Sequence, residues 1–123
     1  MSKIKSFSDL AAWRESHRLA VMIYRVTKEF PVEERFGLSN QIRRAVVSIP
    51  SNIAEGFSRR SVKEKIQFYT ISRGSLIEVQ SQLLIARDVG YLEENSFSKL
   101  ANQTIQVSKL INGLIKNVPP LNS

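Results

Sequence analysis

Apolar residues return at alternating steps of three and four along nearly the whole chain, and no stretch keeps the step of two that a half-buried strand needs. That periodicity restricts the fold to helices that bury a long apolar side against one another. The first segment starts at Ser8 or Asp9, either a suitable N-cap, and stops at Pro31. Its seam is Ala12, Ser16, Leu19, Ile23, Val26 and Phe30. A second stripe of Trp13, His17, Ala20, Tyr24 and Thr27 makes the face wider than one partner helix requires.

The second segment, 37–56, carries Leu38, Ile42, Val46, Ile49 and Ile53. Pro50 lies inside it and predicts a kink or local break, and Gly56 stands where a C′ glycine closes a helix. Ser61 followed by Glu64 is a capping box opening a third helix over 62–89. That helix has apolar residues on most of its circumference: Ile66, Tyr69, Leu76, Val79, Leu83 and Ala86 on one side, Phe68, Ile71, Ile85 and Val89 on another, and Ile77 with Leu84 on a third. A chain of 123 residues has too little protein to bury all of it, which points to an oligomer. The fourth segment, 94–117, repeats Phe97, Ala101, Thr104, Ser108, Ile111, Ile115 and Val118, beside a second stripe of Leu100, Gln103, Val107, Leu110 and Leu114, and Pro119-Pro120 ends it. With the first helix over 9–30, four helices and short connections predict one all-α domain, an antiparallel up-down four-helix bundle spanning 1–123.

The absence of cysteine excludes disulfides, thiolate metal sites and a cysteine nucleophile. No apolar run reaches the roughly 20 residues that span a bilayer. Met1 to Ser6 has lysines but no apolar core behind them, so a secretory signal is not expected and the expected location is cytoplasmic. His17 is the single histidine and sits between Trp13 and Tyr24, the setting of a packing or interface residue more than of a catalytic base. Glu55 and Glu78 have no histidine at di-iron spacing, and no phosphate-loop, dinucleotide or zinc-protease motif occurs. No enzyme activity, metal or cofactor is expected.

Net charge of +7 and a pI near 10.1 favour polyanionic partners: RNA, DNA or an anionic membrane surface, in that order. A membrane role is set aside because the basic side of helix 1 has no free apolar face behind it. Arg14, Arg18 and Arg25 form a ridge away from the seam, and Arg43 lies on helix 2. Arg59, Arg60, Lys63 and Lys65 surround the start of helix 3, where free backbone N–H groups favour phosphate. The plain alternative is a solvated surface. Arg44, Ser48, Asn52 and Glu55 share a face beside the seam of helix 2 and predict, with Glu78, a structural hydrogen-bond network in which Arg44 pairs with a carboxylate.

The run Leu38-Ser39-Asn40-Gln41-Ile42-Arg43-Arg44-Ala45, continued by Ser48-Ile49-Pro50-Ser51-Asn52-Ile53-Ala54-Glu55-Gly56, resembles the 23S rRNA intervening sequence protein family. Trp13, Tyr24, Phe30-Pro31, Glu34, Phe68, Gly74-Ser75, Glu78 and Gln82-Leu83 extend the resemblance over nearly the whole chain, with Arg73 and Val79 as variants. The resemblance implies a four-helix bundle assembled as a ring-shaped homopentamer, in a family encoded within bacterial 23S rRNA genes and elsewhere. It is similar in fold to the accessory variability determinant of diversity-generating retroelements, which contacts a reverse transcriptase and nucleic acid. The expected function is a non-enzymatic oligomeric scaffold that binds RNA or DNA. The alternative is a protein-binding adaptor, for instance for a nucleic-acid enzyme.

Overall fold

The computed structural model describes residues 4–118; the first lysine of the N-terminal pair and Pro119-Pro120 lie outside them. Four long helices, α1 (Ala11–Thr27), α2 (Leu38–Ser58), α3 (Val62–Asp88) and α4 (Glu94–Lys116), account for most of the described residues, which contain no strand. Each helix packs on its sequence neighbours, and α4 returns to α1, closing a square whose diagonal helices do not approach each other closely.

Cross-helix pairs fix the antiparallel sense. Going up α2 and down α3, Ser48 meets Ser75, Ile49 meets Ser72 and Gly56 meets Tyr69. Between α3 and α4 the pairs are Gln80 with Thr104 and Arg73 with Asn112. The axis of the bundle is filled by Leu19, Ile23, Ile42, Ile49, Ile53, Leu76, Leu83, Leu100 and Ile111, all under 2% exposed. Fully burying such a side chain stabilises by about 1.5–3 kcal/mol, so the four seams are the source of the fold.

The ends depart from the sequence expectation. Asp9 does not cap α1: its carboxylate accepts the N–H groups of Lys5 and Ser6 in a 3-10 turn over Phe7–Asp9, and Leu10 precedes the helix. At its other end α1 stops at Thr27, and residues 28–30 form turns. Of the kink or local break expected at Pro50, the break does not occur; α2 runs through it to Ser58. Side-chain donors reinforce the helix beside the missing N–H: Ser72 Oγ donates to Ile49 O at 2.8 Å and Asn52 Nδ2 to Ser48 O at 2.8 Å.

Gly56 is also no helix terminator. It lies inside α2 because a Cβ there would come within 2.7 Å of the Tyr69 ring, so glycine lets α2 and α3 approach closely. Ser61 does cap α3, accepting the Glu64 N–H at 3.0 Å.

Candidate interaction surfaces

The ridge on α1 is exposed along its length. Arg14 Nη1 donates to the Asp9 carbonyl at 2.7 Å, and Arg18 Nε stands 3.5 Å from Glu15 Oε1 with two-thirds of its side chain in solvent. Such a surface pair is worth about 0–1 kcal/mol, so it holds Arg18 only loosely. Arg25 has no ion pair among the described residues; with Lys28 it borders a shallow groove floored by Ala20, Tyr24, Val47 and Pro50.

The other cations are more constrained. Arg43 Nε donates to Thr27 Oγ1 at 2.7 Å and Nη2 to Tyr24 O at 3.3 Å, while its guanidinium covers the Tyr24 ring. It thereby closes the carbonyl end of α1, a favourable place for positive charge. Arg59 is paired to Glu55 at 3.0 Å and stacked on Phe68 at 4.7 Å. Lys65 turns back to α2, donating to Phe57 O at 2.8 Å and Gly56 O at 3.4 Å, and burial lowers its pKa. Arg60 and Lys63 remain exposed. The first turn of α3 offers less to a phosphate than the sequence suggested, because Ser61 takes one N–H and Glu64 adds a carboxylate there.

The polar network expected around Arg44 is divided in three. Ser48 and Asn52 join each other and Ser75; Glu55 belongs to Arg59; Glu78 accepts from Gln82 Nε2 at 3.1 Å. Arg44 is exposed and has no carboxylate partner among the described residues. Helical rise explains part of this, since eleven residues separate Arg44 from Glu55 by about 16 Å, beyond side-chain reach. Gln82, 6% exposed, keeps its Oε1 buried without a donor among the described residues.

Glu34 has a role that the sequence reading did not assign. It accepts the Leu38 N–H at 3.1 Å and the Tyr91 hydroxyl at 2.8 Å, tying the start of α2 to the α3–α4 turn. Those bonds, the backbone one first, hold its carboxyl below the ordinary 4.5.

Half of the exposed large apolar residues lie on or beside α3. Ile71, Ile77, Leu84 and Ile85 of α3 and Val89 at its C-cap are each 45–60% exposed, and Ile105 of α4 lies beside Leu84 across a shallow groove. Gly74 lies on the exposed side of α3 with open space where its Cβ would be. A separate patch crowns the α1–α2 connection, where Val32 and Phe36 are more than 80% exposed and Arg35 lies over the Phe36 ring. Phe36 and Val32 were missed because isolated apolar residues in a connection carry no periodic signal.

The architecture defines an antiparallel four-helix-bundle protein whose notable surfaces are cationic ridges and unpartnered apolar strips. The sequence profile of the 23S rRNA-intervening sequence protein family matches residues 8–113, and the chain belongs to that family. Among solved structures it is similar to a protein of unknown function from the S23 ribosomal protein family of Bacteroides thetaiotaomicron. The two share 25% identity with a TM-score of 0.80, over 86% of this chain and 96% of that one. No curated protein matches it.

Proposed function

We propose that the protein is a non-enzymatic, homo-oligomeric scaffold of the cytoplasm that binds RNA or DNA through basic surfaces repeated around a ring, with a pentamer as the favoured assembly. The observation that carries the reading is the exposed apolar strip of α3, on a helix whose opposite side already fills the core. Monomers seldom leave so many large apolar side chains of one helix in water. Arg44 and Glu78, both exposed and without an ion-pair partner among the described residues, would add complementary charges to an assembly.

The nucleic-acid part rests on the net charge of +7 and on the exposed Arg14, Arg18 and Arg25, with Arg60 and Lys63 exposed beside the start of α3. Repetition in a ring multiplies a weak patch, and avidity can exceed single-site affinity by roughly a hundredfold. With no base-reading motif, binding is expected to be largely sequence-independent. The test is affinity for structured RNA and duplex DNA across a salt series. Steep loss with salt supports phosphate contacts, and no affinity at low salt contradicts them.

One observation favours the adaptor reading as well. Val32 and Phe36 make an aromatic-tipped patch suited to a protein partner. A partner whose binding is lost in Phe36→Ala and insensitive to salt would favour it.

A further inference from the structure

At the end of the bundle where α1 begins and α4 finishes lies a cavity of about 520 Å³. Leu10, Ala12, Phe57, Tyr69, Leu110 and Leu114 supply its apolar wall. The volume falls within the roughly 300–1,000 Å³ of small-ligand sites.

Gly113 leaves part of this space open. It lines the cavity inside α4, has no positive φ, and a Cβ built on it meets nothing within 4 Å. A helix-interior glycine costs about 0.5–1 kcal/mol relative to alanine, and here neither backbone conformation nor close packing requires one. Its effect is to keep volume free.

The charges on the wall have one sign. Lys65 and Lys109 line the cavity, and no aspartate or glutamate among the described residues does. Lys109 has no ion pair among the described residues, and the Lys65 ammonium meets two carbonyl oxygens and the face of the Phe57 ring but no carboxylate. An apolar chamber with cations and no counter-charge complements a molecule with an apolar body and one anionic head.

We propose that this cavity binds a medium-chain fatty carboxylate, its hydrocarbon tail against Phe57, Tyr69 and Leu114 and its carboxylate at Lys109 and Lys65. The site lies in one chain and does not depend on the proposed scaffold function.

Calorimetric titration of the full chain with decanoate tests the proposal, with decanol and decyltrimethylammonium as neutral and cationic controls. One decanoate per chain is expected, with the controls weaker by about tenfold or more. Gly113→Leu, which fills the chamber, and Lys109→Glu, which reverses its charge, are each expected to weaken decanoate about tenfold or more, with helicity and melting retained. Gly113→Ala, which leaves most of the volume, keeps binding. Equal affinity for all three head groups, decanoate binding that survives Gly113→Leu, or no heat up to millimolar decanoate would overturn the proposal. So would Gly113→Leu changing the assembly mass but not decanoate binding, since a second copy would then cover the cavity.

Discussion

Gly56→Ala and Gly113→Ala are the same chemical change in two helix interiors, and the structure assigns them opposite signs. In an open helix, alanine is favoured over glycine by about 0.5–1 kcal/mol. At Gly113 nothing opposes that gain. At Gly56 the new Cβ would stand 2.7 Å from Tyr69 Cε1, 2.9 Å from Cδ1 and 3.1 Å from Phe68 Cβ. Tyr69 is only 3% exposed and its ring is rigid, so the clash is relieved by moving α3 or pushing the ring toward the cavity beside it. Overpacking of this kind costs about 1–3 kcal/mol. Subtracting the helix-propensity gain leaves Gly56→Ala destabilised by up to about 2.5 kcal/mol. For a domain of this size that is a fall in Tm of up to about 10 °C, against a rise of about 2–4 °C for Gly113→Ala. Circular dichroism melts at one fixed protein concentration measure both. Equal shifts in the same direction would refute the close approach of α2 and α3 at Gly56.

Replacing exposed apolar residues on α3, as in Ile77→Glu/Leu84→Glu, is expected to reduce the assembly to single chains while helicity persists. Gel filtration with light scattering reads the mass, and an unchanged mass counts against that face. Arg14→Glu/Arg18→Glu/Arg25→Glu is expected to weaken nucleic-acid binding and to lower the salt slope by about one per lost phosphate contact; unaltered affinity with the oligomer intact would exclude the ridge. For Glu34 the folded pKa lies below the ordinary 4.5, so its contribution is present above about that pH and lost as pH falls through the folded value. Glu34→Gln should therefore lower Tm near neutral pH and converge with wild type in acid, and a constant difference down to pH ~2 would contradict the assignment.

The seams of α1, α2 and α3 were legible because burial leaves a three-four spacing that survives in one dimension, and Ser61 was legible because its cap uses residues three apart. On α4 two stripes run side by side, and the buried Leu100, Thr104, Val107 and Ile111 are drawn from both. Helix ends were harder. The sequence permitted Asp9 to cap α1, but the same carboxylate serves Lys5 and Ser6, and nothing local distinguishes the two uses. Gly56 was misread for a related reason: a glycine that ends a helix and one that admits Tyr69 differ only in what a distant helix brings near. Arg44 and Glu55 share a helix face, yet periodicity reports direction and not axial distance, so their pairing did not follow. The inward commitments of Arg43, Arg59 and Lys65 depended on carbonyl oxygens and aromatic rings that only the tertiary fold supplies. The end cavity and the Glu34–Tyr91 tie joined residues too far apart in sequence for any local pattern to reveal.

The central claim is that the α3 strip closes copies of this chain into an assembly, and solution mass tests it most directly. One chain is 14.0 kDa. Light scattering across a micromolar dilution series should give a single species near 70 kDa, five times that mass, falling to the single-chain value in Ile77→Glu/Leu84→Glu. A wild-type mass near 14.0 kDa throughout the series would contradict the account.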